Sequence, residues 1–282
     1  MTKITLVNHD FCPLLERDNK ALSISVFSIF IITAIIQLLS LALLQSCGVF
    51  FSRIISTAMG FGAILLLIKW RLDTTNSPNL LRLEDPWHNV RSALFIGVLL
   101  AALGTVASLT EVYLVATVSP TFSKIVAEWF FFNPILQASP FPLAVGFVVY
   151  CFLIPTVEEI FFRQYVLGNL LLRFRRPIAI GYSIAIFSAL HFEMLAHGIY
   201  AFVFSLMTLT RRSLIPAITA HIAINMLAFV IPATFPHLKT GAGATVVAAE
   251  YGPLFAIASI TLILSILATL RRQVWLPRQS GI

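Results

Sequence analysis

Long apolar runs recur from Ala21 to Leu270, and nothing else in this chain so narrows what it can fold into. A segment placed in hydrocarbon must satisfy its own backbone hydrogen bonds, so only helices and closed barrels can cross a bilayer. These runs are continuous, without the period-two alternation of a membrane barrel. The composition agrees: 59% of the 282 residues are hydrophobic and 11% are charged, whereas about a quarter of a soluble domain is charged. The sequence therefore predicts an all-α fold, a polytopic membrane helix bundle holding a buried or conical polar site.

Eight membrane segments are predicted: Ala21–Leu44, Ile54–Ile68, Ser92–Thr110, Pro142–Leu172, Ile178–Leu190, Gly198–Thr210, Leu214–Ile231 and Pro253–Leu270. The fifth and sixth are short enough for a shallow hairpin. Between the third and fourth, Trp129 with Phe130, Phe131 and Phe132 reads as an interfacial anchor, with a buried ninth span as the alternative. Three units follow: residues 1–141 with the N-terminal spans and the interfacial segment, a core over 142–231, and 232–282 with a loop and the last helix.

Charge orients the bundle. With the N-terminus in the cytoplasm, the cytoplasmic ends collect Lys69, Arg71, Arg173, Arg175, Arg176, Arg211, Arg212, Arg271 and Arg272, while the other side receives Arg53, Lys124 and Lys239. Basic residues favour the cytoplasmic side, so both termini are expected there, in the cell membrane. The net charge of +7 is accounted for by these flanks; no basic face with interleaved aromatics points to nucleic acid. Cys12, Cys47 and Cys151 form no CxxC pair and read as neither a disulfide framework nor a zinc cluster. The polar N-terminal segment does not read as a cleavable signal peptide.

Against this background the core carries ions where few belong. Glu158, Glu159 and Arg163 lie inside the fourth segment, His191 ends the fifth, and His221 and Asn225 lie in the seventh. An ion in hydrocarbon costs roughly 3 kcal/mol even on the mildest scale, so such residues mark functional sites by default. Glu159 and Arg163 share a helix face and are placed to pair, and His221 and Asn225 likewise share a face. At about 1.5 Å rise per residue, Glu158 and His191 each lie roughly 22 Å from the basic end of their helices, and His221 and Asn225 roughly 13 and 20 Å from theirs. All four can meet near mid-membrane.

The residue types suit water attack on an amide carbonyl. A carboxylate in a partly dry pocket can serve as general base, an imidazole can orient the water or shuttle its proton, and a histidine with an asparagine can donate to the developing oxyanion. Bland alternatives exist for each: a Glu–Arg brace, a helix–helix histidine hydrogen bond, Phe187 as packing. Glu193 and His197, in the turn after His191, are expected to be a solvated turn rather than a second acid–base pair, and Glu111 reads as interfacial. The basic loops point to an opening on the cytoplasmic side.

Glu158-Glu159-Ile160-Phe161-Phe162-Arg163, Phe187-Ser188-Ala189-Leu190-His191 and His221-Ile222-Ala223-Ile224-Asn225 stand in this order on three segments. The arrangement resembles the CAAX-protease and bacteriocin-processing (CPBP) family of intramembrane proteases, which includes the Ras-converting CAAX endopeptidases. The likeness covers about Pro142 to Phe229; Gln164 departs from it, where relatives often carry glycine. It implies that Glu158 and His191 activate water, that His221 and Asn225 stabilise the oxyanion, and that Glu159 and Arg163 hold the site. The expected function is an intramembrane endopeptidase acting on a membrane-anchored, lipid-modified or small peptide substrate. No cofactor is expected. A Glu/His/His set can bind zinc, but no HExxH motif is present, so zinc stays the alternative. Competing readings are a proton-coupled transporter and an idle scaffold or immunity protein. A transporter predicts symmetric broken helices in both halves, and none is visible.

Overall fold

The computed structural model describes residues 86–123, 140–191 and 193–234, most of 250–264, and isolated positions between 35 and 66. The predicted first and second segments, the Trp129–Phe132 anchor, Cys12 and Cys47 fall largely or wholly outside the described residues. Every regular element among the described residues is helical.

Helix α1 spans Pro86–Val118. A continuous helical rod then begins with α2 (Pro140–Val148), widens to a π-helical stretch over Val149–Leu153, and continues through α3 (Ile154–Glu159). A second π-helical stretch, Ile160–Val166, leads into α4 (Leu167–Arg173). Helices α5 (Arg176–Ala189), α6 (Met194–Arg211) and α7 (Ile215–Thr234) follow, joined by short turns. Among the described residues, two stretches are long and apolar enough to cross a membrane, Val90–Val118 and Leu143–Leu171, while Arg176–Ala189 and Ile215–Val230 are shorter apolar helices. The described part of the predicted eighth segment is helical over residues 250–254, 257–261 and 263–264.

Helix ends follow local chemistry. Phe174 leaves the helical region with ψ 154 and ends α4. Arg212 closes α6 in the left-handed conformation at φ 50, a position glycine usually takes. Ser213 Oγ then accepts from the Ile215 N–H at 3.3 Å, starting α7. The arginine-rich turns at 173–176 and 211–214 thus lie at one end of the antiparallel α4–α7 layout, and the 190–193 turn lies at the other.

Lipid-facing helices gain little from hydrophobic association and rely on close packing of small residues. Helix α1 meets α7 in this way. A Cβ on Gly97 would stand 2.6 Å from the Ala220 carbonyl oxygen and 2.8 Å from the Ala223 Cβ. About two turns on, a Cβ on Gly104 would overlap the Tyr200 hydroxyl of α6. Leu100, Leu103, Ala107, Val203, Phe204 and Ile224 fill the space between α1, α6 and α7. A second cluster, Val157, Phe161, Phe162, Tyr165, Val166 and Phe187, binds the rod to α5.

Candidate active site

The rod widens on either side of the paired glutamates. Pro155 has no N–H, and its ring would press on the carbonyl four residues back in an α-helix. The Val149–Leu153 widening relieves that clash, and Ile154 N–H bonds to the Val149 carbonyl instead. Tyr150 lies five residues before Pro155, where the π register calls for a donor that proline lacks. The Asn225 side chain of α7 donates to the Tyr150 carbonyl at 2.8 Å. The second widening turns Phe161, Phe162, Arg163, Tyr165 and Val166 all into the protein, each no more than 5% exposed. Single-turn π segments of this kind recur at functional sites.

Glu159 and Arg163 form an ion pair, Oε2 to Nε 3.0 Å, with both side chains fully buried. The other oxygen of Glu159 accepts from His221 Nδ1 at 3.0 Å. Glu159 is therefore shared between a guanidinium and an imidazole. Glu158 faces two imidazoles: its Oε1 is 3.9 Å from His191 Nε2 and its Oε2 is 3.7 Å from His221 Nε2. His191 Nδ1 lies 2.7 Å from the Phe187 carbonyl. A carbonyl only accepts, so Nδ1 carries a proton, and the other ring nitrogen, Nε2, faces Glu158.

Aromatic rings hold this row in place. Phe187 is fully buried, and its face receives the Arg163 guanidinium at 4.9 Å. The same ring lies edge-on to Phe162 at 4.7 Å and tilted against His191 at 4.5 Å. Phe204 of α6 takes the guanidinium at 5.7 Å and stacks on His221 at 5.1 Å. Each cation–ring contact contributes about 1–2 kcal/mol where water is excluded. Phe187 packs, as sequence reasoning expected, but it packs against the charged groups themselves. Phe204 was not anticipated; its one signal is its place on the buried face of α6, shared with Tyr200, Ala201 and Thr208.

The structure thus joins Glu158, Glu159, Arg163, His191 and His221 in one network and places Asn225 against the rod one helical turn from His221. Exposure grades across it: Glu159 and Arg163 are closed off, Glu158 is 13% and His191 22% exposed. The most open group sits at the 190–193 turn, opposite the arginine-rich turns. Among the described residues, His191, the most exposed member of the network, thus lies away from the arginine-rich side on which the opening is expected. The 190–193 turn is not simply solvated either. Glu193 is partly buried and accepts from Ser108 Oγ at 3.1 Å. Burial pushes its carboxyl up to about 7; the Ser108 bond pulls it back in part, and nearby Glu111 adds to the rise. Glu111 is not merely interfacial, because its carboxylate accepts from the Leu195 N–H in the first turn of α6.

Residues 140–227 match the family described as Type II CAAX prenyl endopeptidase Rce1-like. The matched region is just under a third of the chain, and it is in this region that the chain is similar to CAAX prenyl endopeptidases. No curated protein and no solved structure matches the chain. The Rce1-like domain takes in the rod, α5, α6 and most of α7, and hence every residue of the network; α1 lies outside it. Rce1-like domains are membrane-embedded proteases, and the apolar helices of this chain agree with that setting.

Proposed function

We propose that the chain is an intramembrane endopeptidase that cuts a membrane-anchored, lipid-modified or small peptide substrate by attack of an activated water. The observation that carries this reading is the placement of one partly exposed carboxylate, Glu158, between the Nε2 atoms of two imidazoles at 3.7 and 3.9 Å. These gaps exceed a direct hydrogen bond and suit a bridging water. Such a water donates one proton toward Glu158 and the other toward the lone pair of His191. As its oxygen attacks the scissile carbonyl, Glu158 takes a proton and then passes it to the leaving amine, so protons balance. His221, held through Nδ1 by Glu159, and the second amide hydrogen of Asn225 are the donors for the oxyanion. Arg163 pairs with Glu159 at 3.0 Å and holds it in place.

The match to prenyl endopeptidases supports a lipid-modified C-terminal tail as the substrate class. Eight spans with both termini in the cytoplasm complete the proposal. The test is mass spectrometry of membrane-protein termini from cells expressing wild type or Glu158→Ala. New termini that depend on Glu158 are expected; identical profiles would overturn the reading.

A metal-free mechanism is part of this proposal, since a carboxylate and an imidazole suffice to activate water. Purified active protein is expected to hold well under one zinc per chain by elemental analysis and to keep its turnover after chelation. Loss on chelation with recovery on added zinc would make Glu158, His191 and His221 ligands instead.

A further inference from the structure

His191 is stacked on a second histidine. The His197 ring of α6 lies 3.9 Å from that of His191 at an interplanar angle of 11°, against 35° for Phe187 on its other neighbouring contact. His197 is itself fixed: its Nδ1 donates to the Glu193 carbonyl at 2.9 Å, and Tyr200 meets its ring edge-on at 5.6 Å.

What holds His197 in turn comes from α1. Gly104, Ser108 and Glu111 are spaced four and three apart, on one helix face. Gly104 admits the Tyr200 hydroxyl, Ser108 bonds the Glu193 carboxylate, and Glu111 takes the Leu195 N–H. Glu193 makes no side-chain cap to its own helix, so Glu111 supplies from another helix what the N-terminus of α6 lacks. All three contacts converge on the segment from Glu193 to Tyr200.

We infer that His197 is a positioning residue for His191, and that α1, outside the matched domain, sets its place through Ser108 and Glu111. The His191 ring has one hydrogen bond at its far nitrogen and otherwise depends on flat contacts for its orientation. His197 supplies the closest and most parallel of these. The angle at which His191 Nε2 meets water and Glu158 is therefore fixed by a face-to-face stack. This rests on the proteolytic reading for its kinetic consequence, though not for its structural one.

The test uses full-length protein in detergent with isotope-labelled histidine. The chain holds six histidines, so His191 is assignable by substitution. Its ring Cε1–Hε1 resonance should be a single line displaced by the stacked ring. His197→Phe keeps a flat ring and should keep that line; His197→Gln keeps a polar group without a ring and should lose it. Ser108→Ala with Glu111→Gln should move the same line in the direction of His197→Gln, by less. In turnover, His197→Gln should lower kcat about 10- to 100-fold at unchanged KM, the scale of a misplaced catalytic group, and His197→Phe should recover it to within about threefold of wild type. An unmoved His191 line in His197→Gln overturns the inference, as does equal loss in both variants. Should the line respond as expected in a protein that cleaves nothing, the positioning stands and the proteolytic reading falls.

Discussion

Two halves of the site differ in kind although their glutamates are neighbours in sequence. In the closed half, Glu159, Arg163 and the Nδ1 side of His221 meet at 3.0 Å with no exposure, beneath Phe187 and Phe204. In the open half, Glu158 and His191 stand 3.9 Å apart and retain partial exposure. Groups in the first half bond one another; those in the second stand just beyond hydrogen-bond distance. Burial of charge thus serves two ends within one helical turn. The closed half sets geometry and the open half is free for chemistry.

The largest expected effect falls in the open half. Glu158→Gln keeps shape and removes the proton acceptor, so turnover should fall about 10²- to 10⁴-fold, the usual range for lost acid–base catalysis. The melting temperature should hold, since Glu158 makes no contact shorter than 3.7 Å to either imidazole. Activity within a few-fold of wild type would show that the gap is not where water is activated.

Asn225 lies at the boundary. Asn225→Ala should cut turnover about 10²- to 10³-fold if its second hydrogen reaches the oxyanion. The lost bond to the Tyr150 carbonyl should also lower stability by about 1 kcal/mol. Stability loss with full turnover would assign Asn225 wholly to holding the widened rod.

In the closed half the order reverses. Arg163→Ala leaves Glu159 buried without its cation, a change that costs about 3–5 kcal/mol. Thermal unfolding in detergent should register it directly, and activity should drop as a consequence. An inactive variant with an unchanged melting temperature would move Arg163 from the closed half to the chemistry.

Much of this contrast was legible from residue types alone. Charges in an apolar run are conspicuous, and helical spacing was enough to pair Glu159 with Arg163 and to bring Glu158, His191 and His221 to one level. The widened turns were not legible: an α-helix and a π stretch share nearly the same apolar pattern, and Pro155 was the only local sign. Helix α1 runs on past the expected Thr110 because Glu111, which looked like a polar boundary, finds the Leu195 N–H. That contact spans 84 positions and the Ser108–Glu193 bond 85, and no local pattern encodes a partner so distant. The same holds for Phe204 and His197, whose roles exist only once α6 is laid against the rod.

The smallest expected effect concerns the rim of the open half and follows from Glu193, which lies in the turn outside the apolar helices. Its carboxyl rises from an ordinary 4.5 to about 7 in the folded protein, chiefly through burial. Between these values the folded state binds more protons than the unfolded one, so stability falls as pH rises. The contribution is full below about pH 4.5 and gone once pH passes about 7, the reverse of a salt-bridged carboxylate. The melting temperature should therefore decline by a few degrees between about pH 5 and about pH 8, and Glu193→Gln, neutral throughout, should flatten that slope. An identical slope in Glu193→Gln would assign the titration to a group other than Glu193.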